Sequence, residues 1–272
     1  MYKNNVDIKS SPSWKSLEDE PGVQDTNCYA GQERLEIDNM FIREPKRLLD
    51  IGCSTGSVGK RLKNKYPGLF AWGVEISSAA NEANTCLDKV STYLVSDFED
   101  SEMQLLSSID TVLLLDVLEH MYDPWKTLGF ISNAIPHSAQ VIVSLPNTAN
   151  LNILRDLANG FWHYQETGLL DVTHIRFFTL YEMQKMFYET GFRILRTHFS
   201  MEYCVDPEKY PPHAYPAWVQ YGEIKLIVKN YEHFLSLNSR QIFFTIEPIK
   251  NSELSMQERE LAYSPHPKTW AY

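Results

Sequence analysis

From Arg47 onward, short apolar runs alternate with longer amphipathic segments, and this alternation constrains the fold more than any other feature of the chain. Short apolar runs predict strands, whereas apolar residues spaced three or four positions apart predict helices. Strands separated by helices are typical of βαβ units, whose parallel strands form a sheet covered on both faces. We therefore predict an α/β fold with a doubly wound, mostly parallel, seven-stranded sheet and helices on both faces. The predicted strands are 47–51, 69–74, 92–95, 110–115, 141–145, 192–199 and 240–248, and the predicted helices lie near 57–65, 77–88, 123–134, 149–158 and 180–190.

The close spacing of the predicted strands favours one domain over two. We divide this domain, 1–272, into an N-terminal arm or lid (1–45), the core sheet (46–202 and 239–248) and a small cap or interface insertion (203–238). The insertion begins with a proline-rich stretch, which excludes regular structure there because proline lacks a backbone N–H. We expect a helix in its second half, from about Pro216 to Leu237.

Charge and cysteine content narrow the class of protein. The net charge is −10, whereas nucleic-acid binders need a basic face, so nucleic acid is not an expected partner. The four cysteines form no CxxC pair, and the first residues lack the apolar core of a signal peptide. No apolar run approaches the roughly 20 residues that cross a bilayer. We therefore expect a cytoplasmic protein without an integral membrane segment; a homodimer remains compatible with the sequence.

The segment LLDIGCSTGSVGKRL, residues 48–62, reads as a strand, a tight turn and an amphipathic helix. Gly52 and Gly56 allow the backbone to turn sharply and to approach a ligand without a Cβ atom in the way. The free N–H groups at the start of the helix face the same space. A nucleotide-type ligand is therefore expected at the carboxyl end of the first strand.

The acidic residues that follow indicate which nucleotide this is. Ser57 stands where a dinucleotide fingerprint needs a third glycine or alanine, so the pattern is D-x-G-x-S-x-G. Glu75 follows the second predicted strand, where an acid can bind two ribose hydroxyls. Asp97 ends the third predicted strand beside Phe98, which offers an acceptor and an apolar face to a purine. In this order the elements resemble the class I S-adenosylmethionine-dependent methyltransferases, which have a Rossmann-like fold.

This resemblance implies S-adenosyl-L-methionine as the methyl donor and S-adenosyl-L-homocysteine as the product. It places the donor against residues at the ends of the first four strands. The implied donor-binding residues are Asp50, Gly52, Cys53, Ser54, Gly56, Glu75, Ile76, Asp97, Phe98 and Asp116.

The segment DVLEHMYDP, residues 116–124, resembles a signature of ubiquinone-type O-methyltransferases. Glu119 and His120 lie one helical turn beyond Asp116, so all three side chains can face one side. Three interpretations stay open. His120 can act as a general base or substrate ligand; the three side chains can hold a divalent cation, which we do not favour; or they can cap the helix and pair with neighbours.

The segment LLDVTHIRFFTLYEM, residues 169–183, contains a capping box formed by Thr179 and Glu182. It resembles an LD-x-THxRFFT box of a bacterial methyltransferase branch found in surface-polysaccharide, glycolipid and sugar natural-product pathways. The residues around it are rich in aromatic and amide groups that suit a sugar ring. We predict His174 and His120 as catalytic residues, and Asn147, Trp162, Tyr164 and Arg176 as substrate-binding residues. His174 and Arg176 can alternatively fix the loop by pairing with Asp171 or with backbone groups.

The sequence thus predicts O-methylation of a sugar or sugar-containing acceptor by in-line transfer, with a histidine as the base. Two histidines near the acceptor favour O-methylation over N-methylation. A quinone-like or other small-molecule acceptor is the alternative within the enzyme class. A non-catalytic protein that binds S-adenosylmethionine is disfavoured because the chain retains all three motifs.

Overall fold

The computed structural model describes residues 31–249 and 253–263 of the chain. Within these residues, nine strands and eight α-helices follow one another in an alternating order. The strands are β1 (Arg47–Ile51), β2 (Phe70–Val74), β3 (Lys89–Ser91), β4 (Thr111–Leu115), β5 (Gln140–Pro146), β6 (Phe192–Met201), β7 (Ala217–Tyr221), β8 (Ile224–Val228) and β9 (Ser239–Pro248). The helices are α1 (Ser57–Lys65), α2 (Ala80–Ala83), α3 (Asp100–Leu106), α4 (Pro124–Ala134), α5 (Leu151–Ala158), α6 (Leu180–Glu189), α7 (Tyr231–Leu237) and α8 (Met256–Tyr263).

Seven strands form one sheet in the order β3-β2-β1-β4-β5-β9-β6. The five strands from β3 to β5 are parallel, whereas β9 runs antiparallel to both of its neighbours. The strand order reverses between β1 and β4, and the carboxyl ends of these two strands therefore open a crevice where α/β proteins bind ligands. The predicted doubly wound, mostly parallel, seven-stranded sheet is confirmed.

A buried apolar layer covers each face of the sheet. One layer packs Trp72, Leu114 and Phe244 against α4 and α6, and the other packs Leu48 and Leu113 against α1. The parallel strands β1, β4 and β5 are buried almost throughout. Burial on both faces explains why these strands appear in the sequence as continuous apolar runs.

Two predicted elements of the sheet region are wrong in position or length. The third strand covers Lys89–Ser91 rather than 92–95, because Trp72 and Val74 pair with that earlier segment. Tyr93 and Leu94 are exposed, and Asp97 therefore lies on a short 3₁₀ turn rather than at a strand end. The helix predicted near 77–88 is reduced to α2, Ala80–Ala83, within a series of turns.

The second half of 203–238 forms a β-hairpin and a short helix instead of one long helix. Strands β7 and β8 pair in antiparallel register on either side of a two-residue turn that begins with Gly222. Gly222 has a φ of 56°, and such turns favour glycine. Alternating apolar residues in both strands suit a sheet better than a helix. The hairpin and α7 pack with α5 in a third apolar cluster.

The fold contains no helix, among the residues described, with the length and apolar character needed to cross a membrane.

Candidate active site

A first cavity of about 360 Å³ lies at the carboxyl ends of β1, β2 and β4. We call it the donor cavity. It is lined by the turn after β1, by Glu75 to Ser77 after β2, and by Asp116 and Val117 after β4. Residues from three neighbouring parallel strands meet here because the strands end at the same edge of the sheet.

Glycine is required in the turn because of both its backbone conformation and its surroundings. Gly52 and Gly56 have φ values of 73° and 78°, a region that residues with a Cβ atom rarely adopt. A Cβ atom on Gly52 would lie 2.5 Å from a methyl carbon of Val117. Ser54, between the two glycines, is also left-handed, at φ 47°. The turn therefore holds its backbone in a strained shape that leaves space for a ligand.

Glu75 fixes the other side of the donor cavity. Its two carboxylate oxygens accept hydrogen bonds from the backbone N–H groups of Ser54, at 2.9 Å, and Ser77, at 2.8 Å. Ile76, next to it, is 69% exposed and lines the cavity. Asp50 is a buried residue of the donor cavity, and its burial raises the pKa of its carboxyl to about 7. The charge of Arg34 opposes this shift, and the charge of Glu75 adds to it.

Arg34 reaches the site from the segment before β1. Its guanidinium donates to Asp116 Oδ2 at 2.8 Å and to Ser144 Oγ at 3.2 Å. Asp116 itself has a φ of 57°, and its other oxygen accepts from Ser144 and Gln241. Both carboxylate oxygens of Asp116 are therefore held by neighbours, which fixes the corner between β4 and the N-terminal segment.

A second cavity, of about 480 Å³, adjoins the first. We call it the acceptor cavity. Gln32 and Asp116 line both cavities. Most other side chains that line the acceptor cavity are polar, namely Glu119, Thr167, His174, Ser200, Arg240 and Gln241. The shared residues place the two cavities side by side, so a group bound in one can reach a group bound in the other.

Glu119, His120 and His174 cluster in the wall between the cavities. The ligand atoms that they offer all lie within 4.8 Å of one another. The two imidazole rings meet edge to face, with centroids 4.8 Å apart, and His174 Nε2 lies 4.0 Å from Glu119 Oε1. His120 lines the donor cavity, whereas Glu119 and His174 line the acceptor cavity.

The cluster is held together by backbone hydrogen bonds between the two motifs. The Glu119 carbonyl accepts from the N–H groups of Ile175 and Arg176, both at 3.0 Å. Nδ1 of His120 lies 3.2 Å from the Thr173 carbonyl, and Nδ1 of His174 lies 3.3 Å from the Leu169 carbonyl. A carbonyl oxygen only accepts, so each imidazole carries its proton on Nδ1 in these bonds and leaves Nε2 free.

Burial shifts the acid–base equilibria of this cluster. Desolvation and then the nearby Asp116 raise the pKa of the Glu119 carboxyl well above its usual range. Desolvation and then the neighbouring His120 lower the pKa of His174 below its usual value. Glu119 and His174 are therefore driven toward their neutral forms in the free protein.

Three buried side-chain atoms among the described residues have no hydrogen-bond partner: Asp50 Oδ2, Ser54 Oγ and Glu119 Oε2. The first two belong to residues of the donor cavity, and the third belongs to the acceptor cavity. Buried polar atoms without partners cost free energy unless a ligand satisfies them. Their location indicates that both cavities are built to hold polar ligands.

Most predicted donor-binding residues meet in one place, with three exceptions. Asp50, Gly52, Cys53, Ser54, Glu75, Ile76 and Asp116 all line the donor cavity. Gly56 lies behind it as the residue before α1. Asp97 and Phe98 are not among its lining residues; Asp97 is exposed and Phe98 stacks on Trp72 with centroids 4.7 Å apart. These two residues therefore lie outside the lining of the donor cavity.

None of the four predicted substrate-binding residues lines the acceptor cavity. Asn147 was expected to point into the crevice, but it is fully buried and donates to the Ser236 and Ser239 carbonyls, at 2.6 and 3.1 Å. Arg176 donates to the Tyr122 carbonyl and lies over that ring, so it pairs with the backbone. Both side chains are therefore engaged by neighbouring groups of the chain in this structure.

Trp162 and Tyr164 belong to the loop between α5 and α6 and are not among the lining residues of the acceptor cavity. Trp162 packs edge to face against Phe177, with centroids 5.2 Å apart. Tyr164 is partly exposed. The predicted metal set of Asp116, Glu119 and His120 also differs from the structure, which groups Glu119 and His120 with His174.

Sequence reasoning missed Gln32, Arg34, Arg240 and Gln241. Arg34 lies in the segment that we predicted as a polar arm or lid, where no motif marks it. Arg240 and Gln241 begin β9, whose apolar residues gave the only signal at that point of the chain. Their positions depend on β9 lying between β5 and β6, which the sequence alone does not specify.

Comparison with known proteins agrees with this geometry. A family model described as a methyltransferase domain matches residues 29–197, more than half of the chain. A sequence search of curated proteins found no significant match. One similar solved structure is a SAM-dependent methyltransferase from Thermotoga maritima, titled a possible histamine N-methyltransferase. It is 17% identical, with a TM-score of 0.50, over 83% of this chain and 92% of that one.

Another similar structure is the plantazolicin methyltransferase BpumL in complex with SAH. It is 13% identical, with a TM-score of 0.50, over 87% of this chain and 88% of that chain. At such identities these likenesses establish the fold. Fold and site together define a class I methyltransferase, whose donor is S-adenosylmethionine. The family match shows that the chain belongs to the family of methyltransferase domains.

The donor cavity fits S-adenosylmethionine on features of this chain alone. Its glycine turn leaves room beside the backbone, and Glu75 presents a carboxylate that can bind ribose hydroxyls. The partnerless oxygens of Asp50 and Ser54 can bind the polar groups of the amino-acid part.

Proposed function

We propose that this enzyme transfers the methyl group of S-adenosylmethionine to a hydroxyl of a sugar or of a sugar-containing acceptor. The observation that carries the proposal is the acceptor cavity, which adjoins the donor cavity at Asp116 and is lined mostly by hydrogen-bonding side chains. A polyhydroxylated acceptor can satisfy such a wall, whereas a quinone ring would leave buried polar groups without partners.

We assign the donor cavity to Asp50, Gly52, Cys53, Ser54, Glu75 and Ile76, with Asp116 at the junction. When bound, the donor supplies a methyl group on a sulfonium: the acceptor oxygen bonds to the methyl carbon, the carbon–sulfur bond breaks with its electron pair left on sulfur, and the hydroxyl proton departs. The protein must therefore align the acceptor oxygen with the methyl group and exclude water.

The cluster of Glu119, His120 and His174 lies where the acceptor hydroxyl must be activated. His174 lines the acceptor cavity, and this position supports its assignment as a catalytic residue. Its Nε2 lone pair can take the hydroxyl proton directly, as a general base, or it can bind a cation that contacts the hydroxyl. The direct route needs no further component.

Arg240 supports an acceptor that carries an anionic group. Its side chain lines the acceptor cavity and is about half exposed, and its nearest acidic partner, Glu202, lies 3.9 Å away. A guanidinium in this position can bind a phosphate through two parallel hydrogen bonds. A nucleotide-linked sugar therefore suits the cavity better than a neutral monosaccharide.

The test is a transfer assay with S-adenosylmethionine labelled in its methyl group. The panel contains nucleotide-linked sugars, neutral monosaccharides, amino sugars and quinol precursors. We expect label in an O-methyl group of a nucleotide-linked sugar. Transfer to a quinol with no transfer to any sugar would overturn the proposal and favour the quinone-like acceptor.

A further inference from the structure

The wall between the two cavities contains two imidazole nitrogens and one carboxylate oxygen that nothing else in the described structure uses. Nε2 of His120 and Nε2 of His174 are the free ring nitrogens, because each Nδ1 is bound to a backbone carbonyl. Oε2 of Glu119 is buried without a partner, and the residue is only 1% exposed. A buried carboxylate with a free oxygen beside two free imidazole nitrogens is a costly arrangement unless something binds there.

A hydrogen bond between Glu119 and His174 does not account for this arrangement of free polar atoms. His174 Nε2 and Glu119 Oε1 are 4.0 Å apart, which is beyond hydrogen-bond range. The two imidazole rings contact each other edge to face. The Glu119 carboxylate therefore lies beside the two rings without a hydrogen bond to His174.

We propose that Glu119, His120 and His174 form a binding site for a divalent first-row transition-metal ion, in the range from Mn²⁺ to Zn²⁺. Imidazole and carboxylate together favour such ions over Mg²⁺ or Ca²⁺, which prefer oxygen ligands alone. The ligand atoms lie within 4.8 Å of one another. Bonds of about 2.1 Å place ligand atoms roughly 3–3.5 Å apart, so the widest separation must contract by roughly 1.3–1.8 Å to complete the site.

The surroundings of the ligands support the site independently. Histidines that bind metals usually donate their other ring N–H to a backbone carbonyl or a carboxylate, which fixes the orientation of the ring. Both histidines do so here, toward the carbonyls of Thr173 and Leu169. The carboxylate of Asp171 fixes the position of Thr173, because it accepts hydrogen bonds from the Thr173 N–H at 2.8 Å and from the Thr173 hydroxyl at 2.7 Å.

The position of the site explains what the ion would do. Three protein ligands leave coordination positions open, and Glu119 and His174 face the acceptor cavity. A hydroxyl of the acceptor could occupy one open position, where the ion's charge would favour loss of the hydroxyl proton to bulk solvent before methyl transfer. The histidines then orient the ion instead of taking the proton themselves. This role rests on the proposed function, but the binding of the ion does not.

The ion also balances the charge of the wall. Asp116 is neutralised by Arg34, whereas no described Lys or Arg forms an ion pair with Glu119. A divalent cation would supply the buried carboxylate of Glu119 with a partner of opposite charge.

The test measures metal binding directly, without an acceptor. Untagged protein is treated with EDTA, dialysed and titrated separately with Mn²⁺ and Zn²⁺. We expect one ion per chain by elemental analysis, and loss of the free Mn²⁺ signal in electron paramagnetic resonance. Glu119→Gln and His174→Gln should each weaken binding at least about tenfold. His137→Gln, a histidine outside the cluster, should bind as the wild type does.

A second measurement keeps the proposal testable if the variants fold poorly. In the ¹⁵N-labelled wild-type protein, Zn²⁺ should shift the Nε2 signals of two of the eight histidines. No stoichiometric binding, or binding unchanged in both cluster variants, would overturn the metal site. Sugar methylation that persists in EDTA-treated protein would overturn the ion's role in activating the hydroxyl and leave the proposed function standing. Metal binding without transfer to any sugar would support the site and refute the function.

Discussion

The donor and acceptor cavities lie side by side, yet they are built in different ways. The donor cavity is formed largely by backbone and small residues of one continuous turn, with carboxylates at the ends of the neighbouring strands. The acceptor cavity is formed by long polar side chains from segments far apart in the chain. The backbone turn of the donor cavity suits one particular donor. The side chains of the acceptor cavity, in contrast, can be substituted, and each substitution can change which acceptor binds. The two cavities thus suit different tasks: we assign donor binding to the first, and acceptor specificity and activation to the second.

The largest expected effect concerns the glycine turn of the donor cavity. Gly52→Val places a branched side chain at a φ of 73° and against Val117, so it should weaken S-adenosylhomocysteine binding by about 100-fold or more. Isothermal titration calorimetry measures this loss. Gly68→Val is the matched control, because Gly68 has a φ of 88° but has no atom within 4 Å of an added Cβ. Equal donor affinity in the two variants would contradict the assignment of the glycine turn to donor binding.

A smaller effect is expected in the acceptor cavity. Arg240→Ala removes a guanidinium that we assign to an anionic acceptor group, so KM for a nucleotide-linked sugar should rise about tenfold. Donor affinity should stay the same, which initial-rate kinetics and calorimetry together reveal. Arg43→Ala is the control, because Arg43 is similarly exposed and lies near Ser138, before β5 begins. An unchanged KM would exclude Arg240 from acceptor binding.

The smallest expected effect concerns Asp50 and pH. Its pKa is raised to about 7 in the folded protein, against about 3.9 in an unfolded chain. The wild type therefore loses stability as pH rises from about 4 to 7, because the unfolded carboxyl ionises first. Asp50→Asn lacks this loss, so its melting temperature relative to wild type should rise by roughly 5 °C between pH 5 and pH 8.

The control for this pH effect is a carboxylate with the opposite shift. Despite partial burial, hydrogen bonding to Lys63 lowers the pKa of Asp88. Asp88 therefore stabilises the protein above its unfolded pKa, and Asp88→Asn should lower the melting temperature at both pH 5 and pH 8. Differential scanning calorimetry measures these melting temperatures. If the difference in melting temperature between Asp50→Asn and wild type did not change with pH, the raised pKa of the Asp50 carboxyl would be contradicted.

The two cavities also differ in how far the sequence predicts them. The strands β1, β2, β4 and β5 are continuous apolar runs because both faces are buried, so their positions were predicted to within a residue or so. The glycine turn is local, and its residues were therefore predicted as one group. The confirmed fold and methyltransferase class depend on these features.

The acceptor side depends on contacts that no local pattern encodes. Asn147 follows a strand as expected, but its amide is turned into the interior by the Ser236 and Ser239 carbonyls. Strand β3 was misplaced because the pairing partners in β2, rather than the apolar content of 92–95, determine the register. His174 meets Glu119 only because the loop that precedes α6 folds back onto the segment after β4. Such long-range packing lies outside what propensity and periodicity predict.

The central claim is that donor binding and acceptor activation reside in separate, adjoining cavities. Its most direct test measures donor affinity and turnover side by side in Glu75→Ala and His174→Gln. We expect Glu75→Ala to lose about 100-fold in donor affinity, and His174→Gln to bind the donor within about twofold of wild type while kcat falls about 100-fold or more. A His174→Gln enzyme with wild-type turnover, or with donor affinity lost as in Glu75→Ala, would contradict the claim.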